Sequence, residues 1–169
     1  MSLLAITARK LFTPIEEIDD GVVIIEDRSI RAVGKRKAIQ VPRGARVVKL
    51  GDKIIAPGFI DIHIHGGAGH DLMEGTRDAV EAVARSVFEH GTTSFVATTL
   101  SAPAEVLRRS LDALRAVITS WRAGASAPMA QPLGIHLEGP FISAERRGAH
   151  PLADLQTPSN VLFQEFLDS

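Results

Sequence analysis

Apolar and polar side chains alternate along much of the first fifty residues, which predicts short β-strands. Residues 19–34 predict a hairpin with arms at 22–25 and 30–33. Its turn, residues 26–29, lacks the glycine that a tight hairpin turn favours, so a longer or strained loop is expected. Residues 45–50 predict a further strand. This part of the chain is therefore expected to form a small all-β region.

A different pattern begins at residue 54, where the run IIAPGFIDIHIHG predicts a buried strand over residues 54–66. Successive side chains of a strand point to opposite faces. Three isoleucines at positions 60, 62 and 64 therefore share one face, which is expected to pack against a neighbouring layer. The other face carries Asp61, His63 and His65.

Helical spacing of apolar residues follows this strand. Thr76 is a good N-cap for a helix that ends near Gly91, and a second helix is predicted from Ser101 and Pro103 to Gly124. Their apolar stripes are Val80, Val83, Ala84, Val87 and Phe88, and then Leu107, Leu111, Leu114, Ile118 and Trp121. Strands are predicted at residues 92–100 and 133–138. A third helix, from Thr157, is expected to turn Val161, Leu162 and Phe166 inward.

Alternating strands and helices indicate an α/β fold with a parallel sheet. Three such units are compatible with a small open sheet or with the opening of a (β/α)₈ barrel. A whole barrel needs about 250 residues, and this chain has 169. The expected domains are residues 1–53, the β-region, and residues 54–169, the βα-units.

Two predicted strands end in side chains that can bind a metal ion. His63 and His65 end the first strand, and His136 and Glu138 share a face at the end of the third. Ligands of parallel α/β folds bind at the carboxyl ends of the strands. Ordinary buried polar residues remain the alternative, but two histidines on one face favour a divalent metal.

Composition narrows the functional classes. The chain has no cysteine, which excludes disulfides and a thiolate zinc site. A formal charge of −1 disfavours nucleic acid and anionic membranes as partners. No apolar run is long enough to span a bilayer, and no secretion signal is recognisable, so a cytoplasmic location is expected.

Four segments resemble one protein family. PGFIDIHIHG, residues 57–66, is similar to the first strand of the amidohydrolase superfamily. GTTSFVATT, HLEGPF and RGAHP, at residues 91–99, 136–141 and 147–151, look specifically like N-acetylglucosamine-6-phosphate deacetylases. The resemblance runs along the whole chain but covers less than half of a family member.

The resemblance implies roles for particular residues. His63, His65 and Glu138 would bind the metal, zinc or iron, as one ion or two. His150 and the backbone at Ala149 would contact an amino-sugar phosphate substrate. The remaining candidates, Asp61 and His136, would orient the ligands.

The family resemblance also implies a mechanism. The metal would lower the pKa of a bound water to about 7 and polarise the acetyl carbonyl, and an aspartic acid would protonate the departing amine. That aspartate and two further histidine ligands are expected beyond residue 169, so no catalytic residue lies within this chain. The chain would hold strands 1–3 of the barrel and the N-terminal part of a small β-sandwich domain, which the family completes with its C-terminus. Family members are commonly homodimers.

Several further residues have a structural and a functional interpretation. His70 is expected in an exposed loop, His90 at a helix end, and residues 145–147 in a solvated turn, with a phosphate clamp as the alternative. Thr98 and Thr99 either face the site or serve the strand alone. A cyclic-amide hydrolase is one competing function. A short non-catalytic relic or interaction module is another, and its open sheet would favour association.

Overall fold

The computed structural model describes residues 2–121 and 128–168 and divides the chain into two compact units, 1–57 and 58–169. The division falls four residues later than the expected boundary after residue 53. The cause is a short strand, Ile54–Ile55, that pairs with the first strand of the chain. None of the helices in the described ranges is long and apolar enough to cross a membrane.

The first unit is a mixed five-stranded sheet. Its strands are β1 (Leu3–Phe12), β2 (Glu17–Glu26), β3 (Ser29–Lys35), β4 (Arg46–Lys49) and β5 (Ile54–Ile55). The order is β3-β2-β1-β4, with antiparallel pairs β1–β2 and β2–β3, whereas β4 and β5 run parallel to β1. Small apolar clusters form its core, one around Val22 and Ile24 and one around Leu11 and Ile18.

The predicted hairpin is confirmed as β2–β3, but its loop is not longer than usual. Glu26 pairs with Ser29, so only two residues form the turn. Asp27 takes the left-handed conformation, with φ of 53°, which aspartate tolerates better than most residues. Its carboxylate also accepts a hydrogen bond of 2.7 Å from the Ser2 amide, which holds the turn without glycine.

The second unit alternates strands and helices, as predicted. Its parallel sheet has the order β10-β9-β6. The strands are β6 (Phe59–Ile64), β9 (Thr92–Thr98) and β10 (Gln131–His136), with the two-residue strands β7 (Gly66–Gly67) and β8 (His70–Asp71) pairing separately. The helices are α1 (Arg77–Glu89), α2 (Ala104–Thr119) and α3 (Asn160–Asp168), with single 3₁₀ turns at Leu72–Glu74, Ala144–Arg146 and Leu152–Asp154. The chain therefore has an α/β fold.

The helical stripes form the core of this unit. The Thr76 hydroxyl caps α1 by accepting from the Ala79 amide at 3.2 Å. Val80 and Val83 of α1 and Leu114 of α2 are fully buried and pack with Phe95 of β9. Burial of such a cluster is the main force that holds helices on a sheet.

Two helix predictions need correction. The second helix ends at Thr119, and its predicted end at Gly124 lies outside the described residues. The third begins at Asn160 rather than at Thr157. Of its predicted inward residues Phe166 is buried, but Val161 is 72% exposed, because the short helix turns that side away from α2.

The strand predicted over residues 54–66 is also corrected. It is broken between β5 and β6, and the β6 segment is not buried: Ile60 and Ile62 are 61% and 71% exposed. β6 is an edge strand with β9 as its neighbour. Of the three isoleucines, Ile64 packs partly against the core cluster of this unit. No packing layer covers Ile60 and Ile62 within the described ranges.

Candidate metal centre

Side chains from the two outer strands of the parallel sheet converge over the end of the middle strand. His63 lies in β6, His65 follows it directly, and Glu138 lies two residues after β10. These strands flank β9 on either side. Because all three strands are parallel, their carboxyl ends meet at one edge of the sheet, where ligand sites of α/β folds are found.

The three ligand atoms form a nearly equilateral triangle. His63 Nε2 lies 3.2 Å from His65 Nε2, and Glu138 Oε2 lies 3.3 Å from the first and 3.0 Å from the second. A tetrahedral zinc ion with bonds of about 2.0–2.2 Å separates its ligand atoms by about 3.3–3.6 Å. The observed spacing therefore needs only a few tenths of an ångström of adjustment to hold a divalent ion.

The two oxygens of Glu138 face different partners. Oε2 faces His63 and His65, whereas Oε1 lies 3.5 Å from His150 Nε2. Burial alone would raise the pKa of Glu138, but the hydrogen bond from His150 and the charges of the nearby imidazoles together lower it. The carboxylate is therefore kept ionised, which is the form that binds a cation.

Asp61 and His136 contact the cluster from behind. The Asp61 carboxylate accepts a hydrogen bond of 3.0 Å from the His63 amide, so it holds the backbone at His63. The His136 ring packs edge-on against His63, with centroids 4.9 Å apart. These contacts agree with orienting roles, which remain a prediction.

Backbone contacts fix the segment around His65. Leu72 donates a 2.8 Å hydrogen bond to the His65 carbonyl. At Gly66 a Cβ atom would lie 2.2 Å from the His70 carbonyl oxygen, so only glycine allows this approach. The glycine after the histidine pair thus closes the loop beneath the cluster.

Thr98 is a supporting residue whose role the sequence left open. Its buried hydroxyl accepts a 3.0 Å hydrogen bond from the Ile64 amide, where the β6–β9 register shifts. It thereby holds the backbone between His63 and His65. Threonine at a strand end is too common for the sequence to reveal this contact.

His150 joins the same cluster, although it lies far away in sequence. Its ring is buried, and Nδ1 lies 3.1 Å from the Ser101 amide nitrogen and 2.7 Å from the Ser101 hydroxyl. Ala149 is exposed beside it. Contact of His150 and Ala149 with a substrate remains a prediction.

The other candidates lie outside the cluster and have local partners. His70 lies 3.3 Å from Glu74, and His90 Nδ1 lies 2.9 Å from the Ser86 carbonyl at the end of α1. In the Glu145–Arg147 turn, Arg147 donates a 2.7 Å hydrogen bond to the His150 carbonyl. Arg147 thus braces the turn that carries His150, and a phosphate contact there is untested.

Residues 54–164 match the Amidohydrolase family. That range contains the whole His63, His65 and Glu138 cluster and two thirds of the chain. The chain belongs to the amidohydrolase family. Amidohydrolases typically depend on divalent metal ions, and the cluster is a group of His and Glu side chains, found among the described residues, that could hold one.

Several similar proteins carry the name N-acetylglucosamine-6-phosphate deacetylase. The human N-acetylglucosamine-6-phosphate deacetylase is 43% identical over 120 residues, which is 69% of this chain and 28% of the relative. The Bacillus subtilis enzyme of the same name is 34% identical over 158 residues, 92% of this chain and 39% of that protein. The crystal structure of the Mycobacterium smegmatis enzyme superposes with a TM-score of 0.81 at 31% identity, covering 98% of this chain and 43% of that one.

The chain therefore spans less than half the length of each of these relatives. The matched part includes the first unit as well as the βα-units, since almost all of this chain superposes. The resemblance to N-acetylglucosamine-6-phosphate deacetylases is confirmed for this portion.

Proposed function

We propose that this chain forms part of the active site of an enzyme that hydrolyses the acetamide of N-acetylglucosamine 6-phosphate, releasing acetate and glucosamine 6-phosphate. The observation that carries the proposal is the convergence of His63, His65 and Glu138 in an amidohydrolase whose relatives bear that name. The metal is a divalent ion, zinc or iron.

Each residue of the cluster has a role in this proposal. A bound divalent ion supplies a Lewis acid that activates water and polarises a carbonyl. His63 and His65 would hold it through Nε2, and Glu138 through Oε2, while its other oxygen stays with His150. Asp61 keeps the backbone at His63 in place. His150, with Ala149, would orient the substrate.

We further propose that the parallel sheet is the opening of a (β/α)₈ barrel, with the first unit part of a small β-sandwich domain. Support comes from the order β10-β9-β6, in which successive strands are neighbours. Exposed apolar side chains on β6, including Phe59 at 70%, support it too, because more barrel would cover them. The remaining histidine ligands and the catalytic aspartate would then come from polypeptide that this chain does not contain.

The intact mass of the protein from its source cell tests whether further polypeptide completes the active site. We expect a mass well above that of 169 residues, or a second polypeptide bound to the chain. A lone 169-residue monomer with robust deacetylase turnover would contradict the proposal.

Substrate class is tested separately by binding. The zinc-loaded chain is titrated with N-acetylglucosamine 6-phosphate, hydantoin and dihydroorotate while the amide signals of Ala149 and His150 are followed by NMR. We expect saturable shifts with the amino-sugar phosphate alone. Shifts with the cyclic amides instead would favour a cyclic-amide hydrolase, and inorganic phosphate serves as the control for simple anion binding.

A non-catalytic interaction module is the second candidate, favoured by the exposed apolar face of β6. The two functions differ in metal binding. A module needs no zinc at His63 and His65, whereas the deacetylase does.

A further inference from the structure

A chain of polar contacts leads from the buried residues Ser101 and His150 to the half-buried Glu138. Ser101 and His150 are 3% and 4% exposed. The Ser101 amide nitrogen lies 3.1 Å and its hydroxyl 2.7 Å from His150 Nδ1, and His150 Nε2 lies 3.5 Å from Glu138 Oε1. Ser101 follows β9 and His150 follows β10, so the two are joined only in the folded chain.

The Ser101 amide determines which ring nitrogen of His150 carries the proton. A backbone N–H can only donate, so Nδ1 is the acceptor in this contact. The neutral ring therefore carries its proton on Nε2, which faces Glu138. The Ser101 hydroxyl can donate to the same Nδ1 atom and so adds a second bond in favour of this tautomer.

Close packing around Gly139 supports this arrangement. A Cβ atom there would lie 2.1 Å from the Ser101 hydroxyl oxygen and 3.4 Å from His150 Nδ1. Gly139 also has φ of 79°, a conformation that favours glycine. The residue directly after Glu138 is thus one that leaves room for Ser101 to reach His150.

We propose that Ser101 is a positioning residue for Glu138. By fixing His150 with its proton on Nε2, it provides a donor for Glu138 Oε1 and so leaves Oε2 turned towards His63 and His65. One oxygen is held by the protein and the other is free for the ion. The consequence for metal binding rests on the proposed function; the tautomer and the orientation of Glu138 do not.

The tautomer is measured first, on the metal-free chain with ¹⁵N-labelled histidine at neutral pH. The His150 signals are assigned by their loss in His150→Gln. We expect Nδ1 to show the shift of an unprotonated, hydrogen-bonded nitrogen and Nε2 that of a protonated one. In Ser101→Ala the Nδ1 resonance should move to higher shift, because it loses one donor. A protonated Nδ1 in the wild type, or an unmoved resonance in Ser101→Ala, would overturn the proposal.

Zinc affinity is measured next, by competition with a chelator. Loss of a partner that orients a ligand typically weakens metal binding about 10- to 100-fold, and for Ser101→Ala we expect about 10-fold, near the lower end of that range. The matched control is Ser110→Ala, since Ser110 is also buried and donates one hydrogen bond, of 3.0 Å, to the Met73 carbonyl. It should leave zinc affinity unchanged.

The outcomes distinguish the positioning role of Ser101 from the proposed metal centre. Equal affinity in Ser101→Ala and wild type, or an equal loss in both serine variants, would overturn the role of Ser101. Absence of zinc binding in the wild type would refute the metal centre instead, and the tautomer measurement would still decide whether Ser101 positions His150.

Discussion

Thr98 and Thr99 are adjacent buried residues whose hydroxyl groups are in opposite situations. The Thr98 hydroxyl accepts from the Ile64 amide and lies 3.3 Å from the Val96 carbonyl. The Thr99 hydroxyl has no hydrogen-bond partner among the described residues. Because a buried polar group without a partner costs free energy, the two residues should respond differently to the same substitution.

We predict that Thr98→Val lowers the free energy of unfolding by about 1 kcal/mol, because it removes the hydrogen bond of the partly buried Ile64 amide. It should also weaken zinc binding, since that amide lies between His63 and His65. Thr99→Val, the matched control, should be neutral or stabilising. Urea unfolding measures the stability of each variant, and chelator competition measures its zinc affinity. Equal effects of the two variants would contradict the role of Thr98.

The sequence predicts residues that a repeating spacing reveals. It does not predict contacts between residues that come together only when the chain folds. Alternation along single strands placed His63 beside His65 and His136 beside Glu138, and the family resemblance then selected Glu138 as a ligand. The contact between Ser101 and His150 joins residues 49 positions apart, and neither residue stands out by spacing. Such a contact depends on how β9 and β10 are aligned, which local patterns do not encode.

At the scale of elements, apolar periodicity predicted α1 and α2 well, because each buries a continuous stripe against the sheet. Periodicity did not predict which side chains of β6 and α3 are buried. There the pattern identified an apolar face, but whether that face is covered depends on neighbouring elements. Val161 and Ile62 are apolar residues at the right spacing that remain exposed.

The short turn before α1 is expected to contribute a pH-dependent stabilisation. Glu74 and Asp71 form a capping box around the Leu72–Glu74 turn. The hydrogen bond from the Asp71 amide, followed by the one from His70, lowers the pKa of Glu74 below its usual value. A lowered pKa means that the folded state is stabilised by the ionised carboxylate.

We therefore predict that the stabilisation from Glu74 is fully present above the unfolded-state pKa of about 4.3 and is lost as the pH falls through the lower folded-state value. The carboxyl carbon of Glu74, followed by NMR, should titrate below the midpoint of glutamate in an unstructured peptide. The difference in unfolding free energy between wild type and Glu74→Gln should shrink over the same pH range. A midpoint at or above the peptide value would contradict this.

For the whole molecule, the open edge and exposed apolar face of β6 predict self-association of the isolated chain. Replacing Ile62, which is 71% exposed on β6, with lysine should shift the chain towards the monomer. Ile15 is 91% exposed in the turn between β1 and β2, and Ile15→Lys is the matched control with no expected effect. Sedimentation over a range of concentrations measures the oligomeric state. A monomeric wild type, or equal effects of both variants, would refute self-association through β6.

We expect His63, His65 and Glu138 to bind a divalent metal ion, and the zinc content of the chain after equilibrium dialysis measures this binding. His90 supplies the matched control, since it lies at the end of α1 and bonds to a local carbonyl. The wild type and His90→Ala should retain about one zinc ion per chain, held by three protein ligands as in catalytic zinc sites, and His63→Ala should retain almost none. Equal zinc content in wild type and His63→Ala would contradict the account.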